Sequence, residues 1–227
     1  SLKDVKVTTN TSLWEGGGGF VLDATSTVRI ESASFNSNVS ESSYGGGLYT
    51  SIKADLEIVH SSFGSNEAEY GGGGLGLFNS GDYVFYDVDV NYNQIAKGTG
   101  GGIVAYTDSA YTGKYDFLAH ELTVVGNEGE YGGGIGFSNL GEVTLSAGDI
   151  RGNVANTDWG SGGGAYLYKN KSMQVSGTRF CSNVAYYGGG LFEEGTYGGT
   201  GADTFTNNRF VENEAIKKAK SASPHFP

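Results

Sequence analysis

Phe35-Asn36-Ser37-Asn38 followed by Gly45-Gly46-Gly47-Leu48 is the stretch on which the fold turns, because the chain keeps rewriting it. Phe63-Gly64-Ser65-Asn66 leads to Gly71-Gly72-Gly73-Gly74-Leu75, and Phe180-Cys181-Ser182-Asn183 leads to Gly188-Gly189-Gly190-Leu191. Looser copies place Val7, Val90, Val124, Ile150 and Phe210 three residues before Asn10, Asn93, Asn127, Asn153 and Asn213. Successive asparagines lie 28, 28, 27, 34, 26, 30 and 30 residues apart. Seven glycine runs alternate with them: Gly16–Gly19, Gly45–Gly47, Gly71–Gly74, Gly100–Gly102, Gly132–Gly134, Gly162–Gly164 and Gly188–Gly190. Self-similarity at this period signals stacked repeats, with the extra residues of long units bulging out as loops.

Between these markers the periodicity is two. Val28-Arg29-Ile30, Leu56-Glu57-Ile58, Tyr83-Val84-Phe85, Val143-Thr144-Leu145 and Met173-Gln174-Val175 alternate apolar and polar residues, as half-buried strands do. Only Glu212–Lys220 reads as a short helix. Units of this length, with three short strands each, fit a parallel β-helix whose coils rise about 4.8 Å apiece. Propeller blades need about 40 residues or more, and the leucine-rich signature is missing. Phe20, Leu48, Leu75, Ile103, Ile135 and Leu191 follow six of the runs, and Ala165 the seventh, as the first inward residue of a strand. The glycines are the corners of the coil, where the absence of Cβ permits a sharp turn and close backbone approach. Asn38, Asn66, Asn93, Asn127, Asn153, Asn183 and Asn213 are expected to form a buried ladder of stacked amides, joined at the start by Asn10. No Gly-Lys-Ser/Thr follows a glycine run, so none is a phosphate cradle.

The 227 residues carry 14 Lys and Arg against 25 Asp and Glu, a net charge of −11, which argues against nucleic acid and anionic membrane surfaces as partners. Cys181 is alone, so no intrachain disulfide forms, and beside inward Phe180 it is expected to point outward or into the turn. No apolar run is long enough for a membrane span. No cofactor or metal is called for: Asp87-Val88-Asp89-Val90-Asn91 has the start of a calcium loop without its glycine or distal glutamate.

The Gly-Gly-x-aliphatic element alternating with Phe-x-x-Asn resembles the repeat of chlamydial polymorphic outer-membrane proteins, over about residues 7–215. That resemblance implies a right-handed β-helical passenger displayed outside the cell and used as an adhesin. The expected architecture is therefore all-β, a single-stranded right-handed parallel β-helix of about seven coils over residues 1–215, with 216–227 a C-terminal tail or linker.

Candidate sites follow from aligning outward positions. One column reads Ser34, Ser62, Asp89, Thr123, Asp149, Arg179, Arg209; two residues earlier lie Ser32, His60, Asp87, Glu121, Ala147, Gly177. Asp87 and Asp89, two apart on a strand, are expected to share a face with His60 and with His120 or Glu121 nearby. Two carboxylates on one face are what a glycoside hydrolase uses, and a lyase needs a base and a cation to hold the uronate, for which Asp149 and Arg179 on the next rung are the candidates. Catalytic candidates are thus Asp87, Asp89, Asp149 and Arg179, although a solvated strand face with cross-rung ion pairs is the simpler reading. Tyr44, Tyr70, Tyr131 and Tyr187 each precede a glycine run and form an aromatic column. Tyr106, Tyr111, Tyr115 and Tyr197 lie in or beside the two stretches that break the register, and these are the binding candidates. Of three Asn-x-Ser/Thr sequons, Asn10 and Asn38 belong to the ladder and are expected to be inaccessible, leaving Asn170, in an expected turn, open to a glycan. The functional expectation is a non-catalytic structural or adhesive segment at an extracellular or cell surface. It would bind a protein, a glycan or neighbouring copies of itself through aromatic and acidic faces. A carbohydrate-active enzyme and an end-to-end stacking filament subunit are the alternatives.

Overall fold

The computed structural model describes residues 1–22, 26–78, 81–107, 114–156, 158–196 and 202–216, the side chains of 20–22 and 196 aside. Three parallel sheets run the length of a β-solenoid of about seven turns, and no helix occurs among the described residues. The first and widest sheet includes Leu56–Gly64, Tyr83–Asn91 and Phe117–Val125; the second is built of two-residue strands from Thr11–Ser12 to Glu214–Ala215; the third runs from Gly19–Leu22 to Leu191–Thr196. The strand Glu214–Ala215 replaces the start of the expected short helix, because Val184 and Ala185 offer it an edge to pair with. The rest of that stretch, from 217 on, lies outside the described residues.

The corners share one backbone device. Thr9, Ser37, Ser65, Tyr92, Gly126, Gly152, Ser182 and Glu212, each just before a ladder asparagine, have φ between 53° and 65°. The first residue of the turn at each glycine run, such as Gly45 at 69° and Gly100 at 73°, does the same. A third column, Asp4, Ser32, His60, Asp87, Glu121, Ala147, Gly177 and Asn207, bends the first sheet with φ between 48° and 57°. Left-handed residues therefore turn the chain three times per coil, and only one of the three columns is glycine throughout.

In the second coil the three glycines answer three different demands. Gly45 supplies the positive φ; a Cβ on Gly46 would lie 2.2 Å from the Glu67 carbonyl oxygen; a Cβ on Gly47 would lie 2.9 Å from the Asn66 amide. The middle glycine lets the turn rest on the second sheet's backbone, and the last lets the third sheet rest on the amide ladder. The two four-glycine runs are lengthened at opposite ends. Gly19, not Phe20, pairs with Leu48 and takes the inward place, and at the third run Gly71 pairs with Tyr44.

Inside, alternation fills the bore. Phe35 and Phe63 stack at 5.0 Å and 7°, Phe180 and Phe210 at 4.8 Å and 3°, and Phe117 bridges Phe85 to Phe137 at 5.0 and 4.3 Å. Each fully buried Phe, Leu or Ile contributes about 1.5–3 kcal/mol. The amide ladder runs unbroken from Asn10 to Asn213 with Nδ2–Oδ1 steps of 2.9–3.0 Å. Asn66 shows the full set: its Oδ1 accepts from the Asn38 backbone N–H and Nδ2, and its Nδ2 donates to the Phe35 carbonyl and to Asn93 Oδ1. The rungs from Asn38 to Asn183 are at most 1% exposed, whereas Asn213 is half-buried and Asn10, expected to be inaccessible, is exposed because the first described coil covers one side only.

Candidate functional site

The outer face of the third sheet is the aromatic one. Its outward column reads Tyr49, Gly76, Val104, Gly136, Tyr166, Phe192 along successive rungs. Beside it stand Tyr106 and Tyr168, with Phe78 just past the strand end, and before the glycine turns stand Tyr44, Gly71, Thr99, Tyr131, Ser161 and Tyr187. Tyr70 is thus one residue off the expected column, since the extra glycine puts Gly71 on the rung. The Tyr70 ring stands beside that rung, 41% exposed, with the Lys97 ammonium 5.9 Å from its centre.

Two clusters result. In the first, Tyr44 meets Phe78 edge-on at 4.8 Å and Tyr70 at 5.8 Å, Tyr49 stacks on Phe78 at 5.3 Å, and Tyr106 closes the row 6.1 Å from Phe78. In the second, Tyr166 lies between Tyr131 at 5.6 Å, Phe192 at 6.0 Å and Tyr168 at 6.4 Å. The Tyr166 hydroxyl donates to Glu194 Oε2 at 2.9 Å; burial first, and then this carboxylate, push its phenol well above the ordinary range.

Between the clusters the face drops. Gly76 and Gly136 carry no side chain where a neighbour carries a ring: a Cβ on Gly76 would meet Tyr44 Cβ at 3.2 Å, and one on Gly136 would strike Thr99 Cγ2. A notch of about 430 Å³ opens here, lined by Tyr44, Tyr70, Phe78, Val104 and Tyr106 with Lys97, Gly98, Thr99, Glu130 and Ser138. Lys97 Nζ donates to Glu69 at 2.8 Å, and Glu130 accepts the Gly98 N–H at 2.7 Å, so the polar groups are fixed in place. Flat apolar rings beside a few oriented polar groups suit a sugar ring or a protein side chain.

Tyr106, 38% exposed, is therefore brought into a site, while Tyr115 lies elsewhere, at the hollow of Asp55, Asp82 and Lys114. Tyr111 and Tyr197 lie outside the described residues. Sequence reasoning passed over Phe78, Tyr168 and Lys97; the alignable signal was the pair of lone glycines, 76 and 136, in an outward column of rings.

The acidic candidates lie on the first sheet. Positive φ at Asp87 resets the alternation, so Tyr86 and Asp87 are both exposed; beyond this bend Val88 and Val90 turn in, and Asp87 and Asp89 are both exposed. Asp87 Oδ2 meets His60 Nδ1 at 2.9 Å; His120 bonds Ser146 at 3.0 Å; Asp89 pairs across the sheet with Ser62 and Thr123. Asp149 and Arg179 do share adjacent rungs, but their charged atoms are 4.0 Å apart and Asp149 Oδ2 is held by Arg151 Nε at 2.9 Å. Among the described residues no group of three or more His, Cys, Asp or Glu is placed to hold a metal ion, and no helix is long and apolar enough to cross a membrane.

One expectation is corrected outright. Asn170 ends the strand Ala165–Asn170 rather than lying in an open turn, is 5% exposed, and uses its amide as a ladder residue does, accepting the Leu140 N–H at 2.9 Å and donating to the Phe137 carbonyl at 3.3 Å. In that fold its nitrogen has no room for a glycan. Cys181 does point outward but is covered, at 6% exposed, because Arg179 Nη2 reaches its sulfur at 3.3 Å. The hydrogen bond with Ser182, then that with Arg179, draw the thiol below its ordinary range. Compared with protein-family models, curated proteins and solved structures, the chain matches none.

Proposed function

We propose that this chain is a non-catalytic binding segment of a surface-displayed protein, using the outer face of the third sheet to hold a glycan or a partner protein. The observation that carries this is the aromatic notch between Tyr44, Tyr70, Phe78 and Tyr106, with Lys97 and Glu130 set by their own hydrogen bonds. The rigid solenoid supplies what such a site needs, since rings fixed on strands lose little freedom on binding.

The test is binding to immobilised glycan and protein panels. Tyr106→Ala and Tyr70→Ala are each expected to weaken the captured ligand about tenfold or more, while Tyr115→Ala leaves it unchanged. A ligand held equally well by Tyr106→Ala, or no saturable ligand in either panel, overturns this reading.

A further inference from the structure

The chain has four arginines, and three of them gather on one outer face. Arg29 is accounted for by Glu31 and Glu57. The others stand on three consecutive rungs of the first sheet: Asp149 pairs with Arg179 and Arg179 with Arg209, while Arg151 is two residues along from Asp149. Asp149 neutralises Arg151 at 2.9 Å and reaches Arg179 only at 4.0 Å, and among the described residues Arg209 has no ion pair. Glu212, which accepts from the Ser182 hydroxyl at 3.4 Å, is the second carboxylate of the patch. Three guanidiniums against two carboxylates leave it positive in a chain of net charge −11.

The patch encloses a hollow of about 410 Å³. Its wall is Tyr92, 66% exposed, whose ring lies against Gly126 so closely that a Cβ there would be 2.7 Å from Tyr92 Cδ1. Its floor is Gly152, where an added Cβ would meet nothing nearer than 4.0 Å. Arg151, Arg179 and Ser182 form the other side. A flat aromatic wall, bare backbone below and guanidinium forks opposite specify a ring with an apolar face and an anionic substituent. Arg179 and Arg209, paired on adjacent rungs about 4.8 Å apart, favour a ligand that repeats its charge along the solenoid axis.

We infer that this hollow binds an acidic polysaccharide, the sugar ring against Tyr92 and its carboxylate or sulfate on Arg151 and Arg179. The chain's overall negative charge does not prevent this. At physiological salt the repulsion decays over about 8 Å, whereas contact pairs inside the hollow persist. The site is on a different sheet from the aromatic notch and stands or falls independently of it.

The experiment measures binding of the purified chain to polygalacturonate, dextran sulfate, uncharged dextran and polyglutamate at about 0.15 M salt. Polygalacturonate or dextran sulfate should bind, which of the two naming the anion, and dextran and polyglutamate should not. The Arg151→Ala/Arg179→Ala double variant should weaken binding about tenfold or more, and Tyr92→Ala should weaken it too, with circular dichroism unchanged because all three side chains are exposed. Binding of dextran or polyglutamate as tightly as the acidic sugars, failure of both acidic sugars to bind, or an undiminished double variant overturns the inference.

Discussion

The asparagine corner and the bend of the first sheet make the same backbone turn with different residues. Each has a left-handed residue followed by an inward one, at a place where a polar side chain can accept an N–H from the preceding coil. At the first corner the inward residue is Asn on every rung, from Asn10 to Asn213. At the second it reads Ala33, Ser61, Val88, Leu122, Gly148, Thr178, Asn208. There Ser61 accepts the Ala33 N–H at 3.1 Å, Thr178 that of Gly148 at 3.3 Å and Asn208 that of Thr178 at 2.9 Å, while Val88 and Leu122 pack and accept nothing. The geometry alone therefore does not require asparagine. What requires it is the third sheet: in every run the glycine just before the first inward residue of the strand (Gly18 in the first run, the last glycine in the others) rests on the asparagine amide, so two elements interlock there and neither can drift alone.

That contrast can be broken by substitution. Gly46→Ala should be the most severe, because the new Cβ meets the Glu67 carbonyl, a backbone atom that cannot swing away; a loss above about 4 kcal/mol, or failure to recover soluble protein, is expected from denaturant titration. Asn93→Ala should cost about 3–5 kcal/mol, since it strands the Asn66 N–H and amide together with the Phe63 carbonyl. Its counterpart at the other corner, Ser61→Ala, leaves chiefly the Ala33 N–H unpaired and should cost about 1–2 kcal/mol. Equal losses for these two would mean that the interlock with the glycines adds nothing. Gly152→Ala isolates the price of the dihedral, with φ at 63° and open space around the new methyl, and about 1–2 kcal/mol is expected by thermal melting. The reverse change, Ser65→Gly at φ 53°, should shift stability by less than about 1 kcal/mol, because relief of strain and added unfolded-state freedom oppose one another.

Much of this was legible in the residues. The spacing of asparagine and glycine gives coil number, sheet stacking and ladder, since each is a local pattern repeated in register. The site was less so. Tyr106 was singled out for its place beside an insertion, and it does line the notch. Tyr70 was placed one residue off its true position on the rung because a four-glycine run can be lengthened at either end, and sequence does not say which. The outward Asp87 and Asp89 were legible from inward Val88 and Val90, but the bend at Asp87 was not, because a left-handed residue inside a continuous strand leaves no pattern and Asp is among the residues that tolerate that region. Asn170 was read as a turn residue because it stands outside the main asparagine series, yet its amide bridges coils in the same way.

By itself the sequence determined the stacked coils, the amide ladder and the glycine turns, because in a solenoid each residue meets its equivalent one repeat away and the repeat distance is written in the chain. Only the tertiary structure decided which rings converge at the notch, that the first sheet bends at Asp87, and that three arginines share a face with Tyr92. Those groupings depend on where each corner resets the side-chain alternation, and the residues that reset it at two of the three corners are as varied as Ser, His, Asp, Tyr and Glu.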